Sequence, residues 1–283
     1  MKLSAGLNLK PPHFAVAEHS DADGLWFEVH PENFMAAGGP RATCLERLRA
    51  RHPLSLHGVG MSLGSHEMPD RGHLARLRQL CERVAPVLVS EHLAWSRWQG
   101  QYLPDLLPMP RTGEALACAA RNVSIVQDTL GREIALENPS HYLHLDEHEM
   151  TEIEFLDELR RRTGCGLLVD ITNIHVSANN LGFSAATYLD AIPGDAVREI
   201  HLAGYGVDSG HAPQLLIDSH DCATSPTVWA LYQRFIKRIG PRPTIIERDE
   251  NLPDFATLMS ERGVAAALLA AVNRPLPQPQ TRA

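Results

Sequence analysis

Six short apolar runs in this chain close on an imidazole or a carboxylate, and that recurrence constrains the fold more than any other feature. Gly166-Leu167-Leu168-Val169-Asp170 is the clearest, and it continues into Ile171-Thr172-Asn173-Ile174-His175. The same grammar stands in Leu54-Ser55-Leu56-His57, Val87-Leu88-Val89-Ser90-Glu91-His92, Ile134-Ala135-Leu136-Glu137-Asn138, Ile200-His201 and Thr244-Ile245-Ile246-Glu247. Runs so short and apolar read as strands buried on both faces, each with a polar tip at its C-terminal end.

The spacing predicts eight strands, near residues 3–8, 25–29, 54–58, 87–92, 133–138, 166–171, 198–202 and 243–248. Helical spacing of apolar residues falls between most of them, over 71–85, 111–130, 150–162, 225–239 and 253–271. Strands alternating with helices imply βαβ units and a parallel sheet, and eight of them favour a closed (β/α)8 TIM barrel over an open sheet. One domain is expected over residues 1–273, followed by a proline-rich, mobile tail over 274–283.

The formal net charge of −8 disfavours nucleic acid or an anionic membrane as the main partner, because both reward basic surfaces. No GxGxxG or GxxxxGK[ST] motif occurs, so neither dinucleotide nor P-loop binding is indicated. No run of 18 apolar residues suggests a membrane span, and no apolar N-terminal stretch suggests a signal peptide. Cys44, Cys81, Cys118, Cys165 and Cys222 form no CxxC pair, so free thiols in a reducing cytoplasm are expected.

In such a barrel the active site lies where the strands end at the C-terminal face. His57, His92, Glu137, Asp170, His201 and Glu247 would therefore meet at one mouth. A single His at a strand end is more often a hydrogen-bonded structural residue than a ligand. Six N/O donors together point to a cluster of divalent cations, because crowding them without one incurs desolvation and like-charge repulsion. Asp218 and His220 form a D-x-H pair that can chelate an ion if the segment is extended, since residues two apart then point the same way. Asn173 is a neutral, weaker ligand near Asp170. His175 is open between a ligand, a partner behind a ligand and a substrate contact. Glu28, Glu32 and Asn33 either line the mouth or satisfy buried backbone groups. The donor set lacks an obvious thiolate and suits Fe, Zn or Mn. Cys222 is near enough for a redox role, with a plain small residue the simpler reading.

With these residues in place, the chain resembles the DUF692 (UPF0276) family of multinuclear non-haem iron-dependent oxidases from about Leu3 to Ala271. The resemblance is carried by Phe27-Glu28-Val29-His30-Pro31-Glu32-Asn33-Phe34-Met35, Ser55-Leu56-His57-Gly58-Val59-Gly60, Ser90-Glu91-His92-Leu93-Ala94-Trp95 and Leu136-Glu137-Asn138. Val169-Asp170-Ile171-Thr172-Asn173, Glu199-Ile200-His201-Leu202-Ala203-Gly204 and Asp218-Ser219-His220 complete the series. It implies a xylose-isomerase-like TIM barrel holding two or three irons, mixed Fe(II) and Fe(III). O2 would be the co-substrate, cysteines of a ribosomally made precursor peptide the target, and a helper protein would present that peptide. It further implies that Glu137, Asp170 and His175 stand nearest the chemistry and that Glu28, Asn33 and Tyr205 meet the substrate.

The ligand order is also similar to that of the trinuclear zinc endonuclease IV family. By that analogy His57, His92 and Glu137 hold one metal, and Glu137, Asp170, His201 and Glu247 a second, with Glu137 bridging. Asn173, Asp218 and His220 would hold the third, although the zinc nucleases use His where Asn173 stands. Tyr205 and Arg248 also depart from residues common in the oxidase family, His and Trp respectively. Within the oxidase reading, Glu91 and His175 are expected to orient ligands. The runner-up reading is a zinc hydrolase of phosphodiesters, which the negative charge and the scarcity of clustered Lys and Arg disfavour.

Overall fold

A computed structural model describes residues 3–210 and 214–272. The strands in chain order are β1 (Ala5–Asn8), β2 (Phe27–Val29), β3 (Leu54–Gly58), β4 (Leu88–His92), β5 (Trp95–Trp98) and β6 (Gln101–Leu107). They continue as β7 (Ala135–Glu137), β8 (Gly166–Asp170), β9 (Val197–Leu202), β10 (Gly206–Asp208), β11 (Leu215–Ile217) and β12 (Thr244–Ile246). Eight close into a barrel in the order β1-β12-β9-β8-β7-β4-β3-β2, with every pair parallel. The TIM barrel expected from the strand count is thus the observed fold. The tail expected over 274–283 lies outside the described residues.

Register does much of the work of assembling the site. His92 stands opposite Glu137, Asp170 opposite His201, and His57 opposite Ser90. Paired residues on neighbouring strands lie about 4.8 Å apart, so each pair shares one patch of barrel wall. Residues two apart on a strand share a face, and Ser55 with His57, Ser90 with His92, and Glu199 with His201 are such pairs. Barrel interiors are ordinarily filled with branched apolar side chains. Here Glu28, Ser55, Glu137, Asp170, Glu199 and His201 are buried instead.

Helix ends are fixed by side chains that the sequence supplies at the right offsets. Thr151 and Glu154 form a reciprocal capping box ahead of Glu152–Thr163. Asp170, the last residue of β8, accepts a hydrogen bond from the Asn173 backbone and so starts the helix Ile171–Leu181 directly at the barrel rim. The helix Phe255–Val272 has the length and mean hydropathy, 1.4, of a membrane-crossing segment. In this fold its buried stripe of Phe255, Leu258, Arg262, Ala265 and Leu269 identifies it as a barrel helix. Arg262 donates from that stripe to the Ala5 and Asp23 carbonyls.

Two antiparallel hairpins, β5–β6 and β10–β11, stand on the C-terminal side of β4 and β9. Between β9 and β10 the chain passes Gly204, where an added Cβ would collide with the Cys222 backbone carbonyl. The segment carrying Asp218 and His220 therefore packs directly on glycine. Gly204→Ala is expected to displace that segment and to cost about 1–3 kcal/mol by overpacking, read as a fall in Tm.

Candidate metal centre

His57 and His92, from the ends of β3 and β4, turn their Nε2 atoms to within 3.4 Å of each other. Glu137 Oε2 lies 3.0 Å from the first and 3.1 Å from the second. His92 Nδ1 is 3.0 Å from the Gly58 carbonyl, which can only accept, so the ring proton sits on Nδ1 and the Nε2 lone pair faces inward. His57 Nδ1 is held 2.8 Å from Ser90 Oγ. Donors about 2.1 Å from one ion stand about 3.0–3.4 Å from one another, which is the spacing of these three atoms.

A second group adjoins the first. His201 is wholly buried, with Nδ1 3.3 Å from Glu247 Oε2 and Nε2 3.0 Å from Glu28 Oε1. The Glu28 carboxylate favours a proton on Nε2 and leaves Nδ1 to face the centre. Asn8 donates to Glu247 Oε1 at 3.2 Å, fixing that carboxylate in turn. Donor atoms of Glu137, Asp170 and His201 lie within 4.8 Å of one another, as do those of His57, His201 and Glu247 and those of Asp170, His220 and Glu247. Among the described residues, Glu137 Oε2, Asp170 Oδ2 and His201 Nδ1 are buried without a hydrogen-bond partner. Buried polar atoms are seldom left so. Orphaned N and O donors converging from several strands fit a multinuclear metal site.

Asp218 and His220 approach closely, Oδ1 to Nε2 at 2.7 Å, but not as an extended pair. His220 has a left-handed backbone, φ +49°, so a turn rather than strand alternation brings the two together. His220 Nδ1 also lies 3.4 Å from Glu247 Oε2 and 3.5 Å from Asp249 Oδ2. Asn173 donates to Glu137 Oε1 at 3.2 Å and accepts from Ser140 at 3.0 Å, so its amide is bonded toward Glu137 rather than toward Asp218 and His220. It nonetheless lines the same cavity of about 340 Å³ as His57, His92, Glu137, Asp218 and His220.

The expected substrate contacts fall elsewhere. Glu28 is fully buried behind His201, accepting from Ser55 Oγ at 2.7 Å, and does not reach the mouth. Asn33 is exposed on a short 3-10 turn, Pro31–Phe34, whose proline and aromatic face inward in its place. Tyr205 is half-buried and packs against His175, ring centres 5.0 Å apart. His175 lies on the helix Ile171–Leu181, its ring against this tyrosine from the β9–β10 connection, outside the ligand groups. Glu91 is buried and accepts from the Met61 and His92 backbone N–H groups, a position that orients both segments. Cys222 is exposed, its thiol donating to the Tyr205 carbonyl at 3.4 Å.

Sequence reasoning missed His30, Ser140 and Asp249, which also line the cavity, and Ser90 behind His57. Lys10 bridges the first and third of these, pairing with Asp249 and standing 3.2 Å from His30 Nε2. The signal was present for two: Ser90 precedes His92 by two positions on a strand, and Asp249 follows Glu247 by two.

Titration behaviour reports the same crowding. Burial opposes charge on His57, but Glu137 and Glu28 outweigh it and push its pKa up to about 10. Burial lifts Asp170 well above the usual carboxylate range, and the nearby Glu137 adds to this. In Glu28, burial is outweighed by His201, which holds the carboxyl down at about 2. Without a cation, the proton on His57 balances Glu137. Because the folded pKa lies above the unfolded 6.5, this contribution to stability is full below pH 6.5 and lost as pH rises through about 10. The chelated protein is therefore expected to lose Tm between pH 7 and 10. The metal-loaded protein, whose His57 is neutral throughout, should lose less, which differential scanning calorimetry checks.

Residues 4–270 match the family of RiPP precursor modification enzymes MbnB/TglH/ChrH. The chain belongs to this family. Among its UPF0276 relatives, a protein of Caulobacter sp. (strain K31) is 58% identical over 269 residues, covering 95% of this chain and 97% of its own. One from Caulobacter vibrioides (strain NA1000 / CB15N) is 56% identical over 270 residues, covering 95% and 96%. Solved structures share the fold at low identity. 3-Keto-D-glucoside 4-epimerase from E. coli has TM-score 0.58 at 14% identity, covering 95% of this chain and all of its own. Endonuclease IV from Thermus thermophilus has TM-score 0.54 at 15% identity, covering 95% and 98%. The MbnB/TglH/ChrH-family barrel is thus of the xylose-isomerase-like kind, as the resemblance in sequence implied.

Proposed function

We propose that this family member is a multinuclear non-haem iron oxidase that uses O2 to modify cysteines of a ribosomally synthesised precursor peptide. A helper protein presents that peptide, and the reaction takes place in the cytoplasm, where the substrate thiol stays reduced. The observation that carries this reading is the convergence of His57, His92, His220, Glu137, Asp218 and Glu247 on one cavity, with donor atoms of Asp170 and His201 grouped beside them and several of these atoms orphaned.

His57, His92 and Glu137 would hold one ion, Asp170, His201 and Glu247 a second, and Asp218 and His220 a third with Asn173. Bound iron supplies Lewis acidity that lowers the pKa of a substrate thiol, together with electrons for the reduction of O2. The protein's own groups fix the donors. Ser90, the Gly58 carbonyl and Glu28 orient the three barrel imidazoles. His30 Nδ1 donates to the His57 carbonyl at 3.1 Å and places its ring on the cavity wall. His175 and Tyr205 support the segment after β9 through their ring contact. Glu28→Gln should leave the iron ligands in place yet lower metal affinity or activity by about 10–100-fold, the usual cost of losing a partner behind a ligand.

Iron content and Mössbauer spectra of anaerobically purified protein, followed by aerobic reaction with helper and a neighbouring Cys-containing peptide, test the proposal. Iron together with a change in peptide mass supports it. Zinc alone, with an unchanged peptide and cleavage of a phosphodiester, would favour a hydrolase.

A further inference from the structure

The β5–β6 hairpin walls two cavities. On one side Pro104, Asp105 and Leu106 face the metal cavity. On the other, Leu103 joins Trp95, Trp98, Met109, Ala115 and Cys118 around a second cavity of about 470 Å³. Neighbouring residues of β6 point to opposite sides, which separates Leu103 from Pro104, while Asp105 reaches the metal cavity although it is two positions from Leu103. The volume lies within the range of cavities that accept small ligands, and the lining is mainly apolar and aromatic.

Large apolar side chains are exposed on the β5–β6 hairpin and beside the metal mouth. Trp98 is 50% exposed, Tyr102 53%, Leu106 37% and Tyr142 41%. Tyr142 stands on the wall of the metal cavity, where its hydroxyl accepts from the Asp218 backbone at 2.9 Å. Exposed aromatic surface grouped in this way marks an interaction site.

We infer that the second cavity receives an apolar side chain, preferably aromatic, from the precursor peptide whose reactive residue sits at the metal centre. This rests on the reading that the peptide is processed in the metal cavity. A wall one hairpin thick separates side chains on its two faces by about 10 Å, and an extended chain advances about 3.3 Å per residue. The anchoring residue is therefore at least about three positions from the modified one. A small-ligand-sized cavity that shares a wall with the reaction cavity suits a side chain of the substrate and its flanking backbone better than the broad surface of a helper protein.

The test uses the iron-loaded full chain and Ala115→Phe, which projects a ring into the cavity from the helix Gly113–Leu130 and obstructs it. The probes are N-acetyl-phenylalaninamide and N-acetyl-alaninamide, followed by saturation-transfer NMR. Only the first should bind, and Ala115→Phe should abolish its signal while leaving iron content and circular dichroism unchanged. Leu103→Ala, which enlarges the cavity, should shift preference toward N-acetyl-tryptophanamide. With a peptide that is turned over, Ala115→Phe should raise KM about tenfold or more at unchanged kcat, the mark of lost ground-state binding. Unchanged probe signal and KM, with turnover intact, overturn the inference and leave the oxidase reading standing. Loss of helper binding with peptide KM unchanged assigns the cavity to the helper and also overturns it. Cavity-dependent probe binding without turnover of any peptide supports an apolar subsite while removing the oxidase reading.

Discussion

Glu137→Gln is expected to remove at least one metal ion per chain and to lower activity by more than about 100-fold, beyond the cost of losing a partner behind a ligand. The carboxylate touches both His57 and His92 through one oxygen and receives the Asn173 amide on the other. Glutamine keeps that shape. It also presents an N–H group to the two imidazole lone pairs, satisfying them without a cation. The chelated variant should nonetheless unfold earlier than the chelated parent near neutral pH, because the stabilising pair of protonated His57 with Glu137 is lost. Metal analysis, activity and thermal unfolding with and without chelator check the three parts together. Full metal content with near-parental activity would show that Glu137 is structural.

A pair of substitutions at Asp170 separates folding from metal binding. One of its oxygens caps the helix Ile171–Leu181 by accepting from the Asn173 backbone at 2.7 Å. The other is buried without a partner among the described residues. Asp170→Asn retains a good capping group and loses the charge. It should hold the chelated protein within about 0.5 kcal/mol of the parent yet deplete the metal and its activity. Asp170→Ala should deplete the metal equally and cost a further 0.5–2 kcal/mol or so of stability through the lost cap. Denaturant unfolding of the chelated proteins measures the difference. Equal stabilities for the two variants would deny the cap its role.

The barrel was legible because strands buried on both faces leave short apolar runs, and all eight appear near their expected positions. The hairpin over β6 was not, since Gln101–Leu107 is mostly exposed and carries Pro104, which argues against a strand. The helix Pro40–Arg51 was hidden by the glycines before it and by its few apolar residues. The helix Ile171–Leu181 was hidden because its first turn reads as the tip of β8.

The ligands at strand ends were legible for a related reason: strand register alone sets His92 beside Glu137 and Asp170 beside His201. What lies behind or above them was less so. Glu28 reads as a mouth residue until the closed barrel places it under His201. The approach of His220 to Asp218 depends on a left-handed residue that no spacing rule announces. His30 enters the cavity wall from the connection after β2, held by a carbonyl of a neighbouring strand. Such placements belong to tertiary geometry.

Anomalous diffraction on either side of the iron absorption edge, from crystals grown without oxygen, measures the central claim most directly. Two or three peaks should appear in one cavity, each contacted by an imidazole and a carboxylate drawn from His57, His92, Glu137, Asp170, His201, His220 and Glu247. An absence of peaks there, with those side chains bonded only to one another in the iron-supplied protein, would contradict the account.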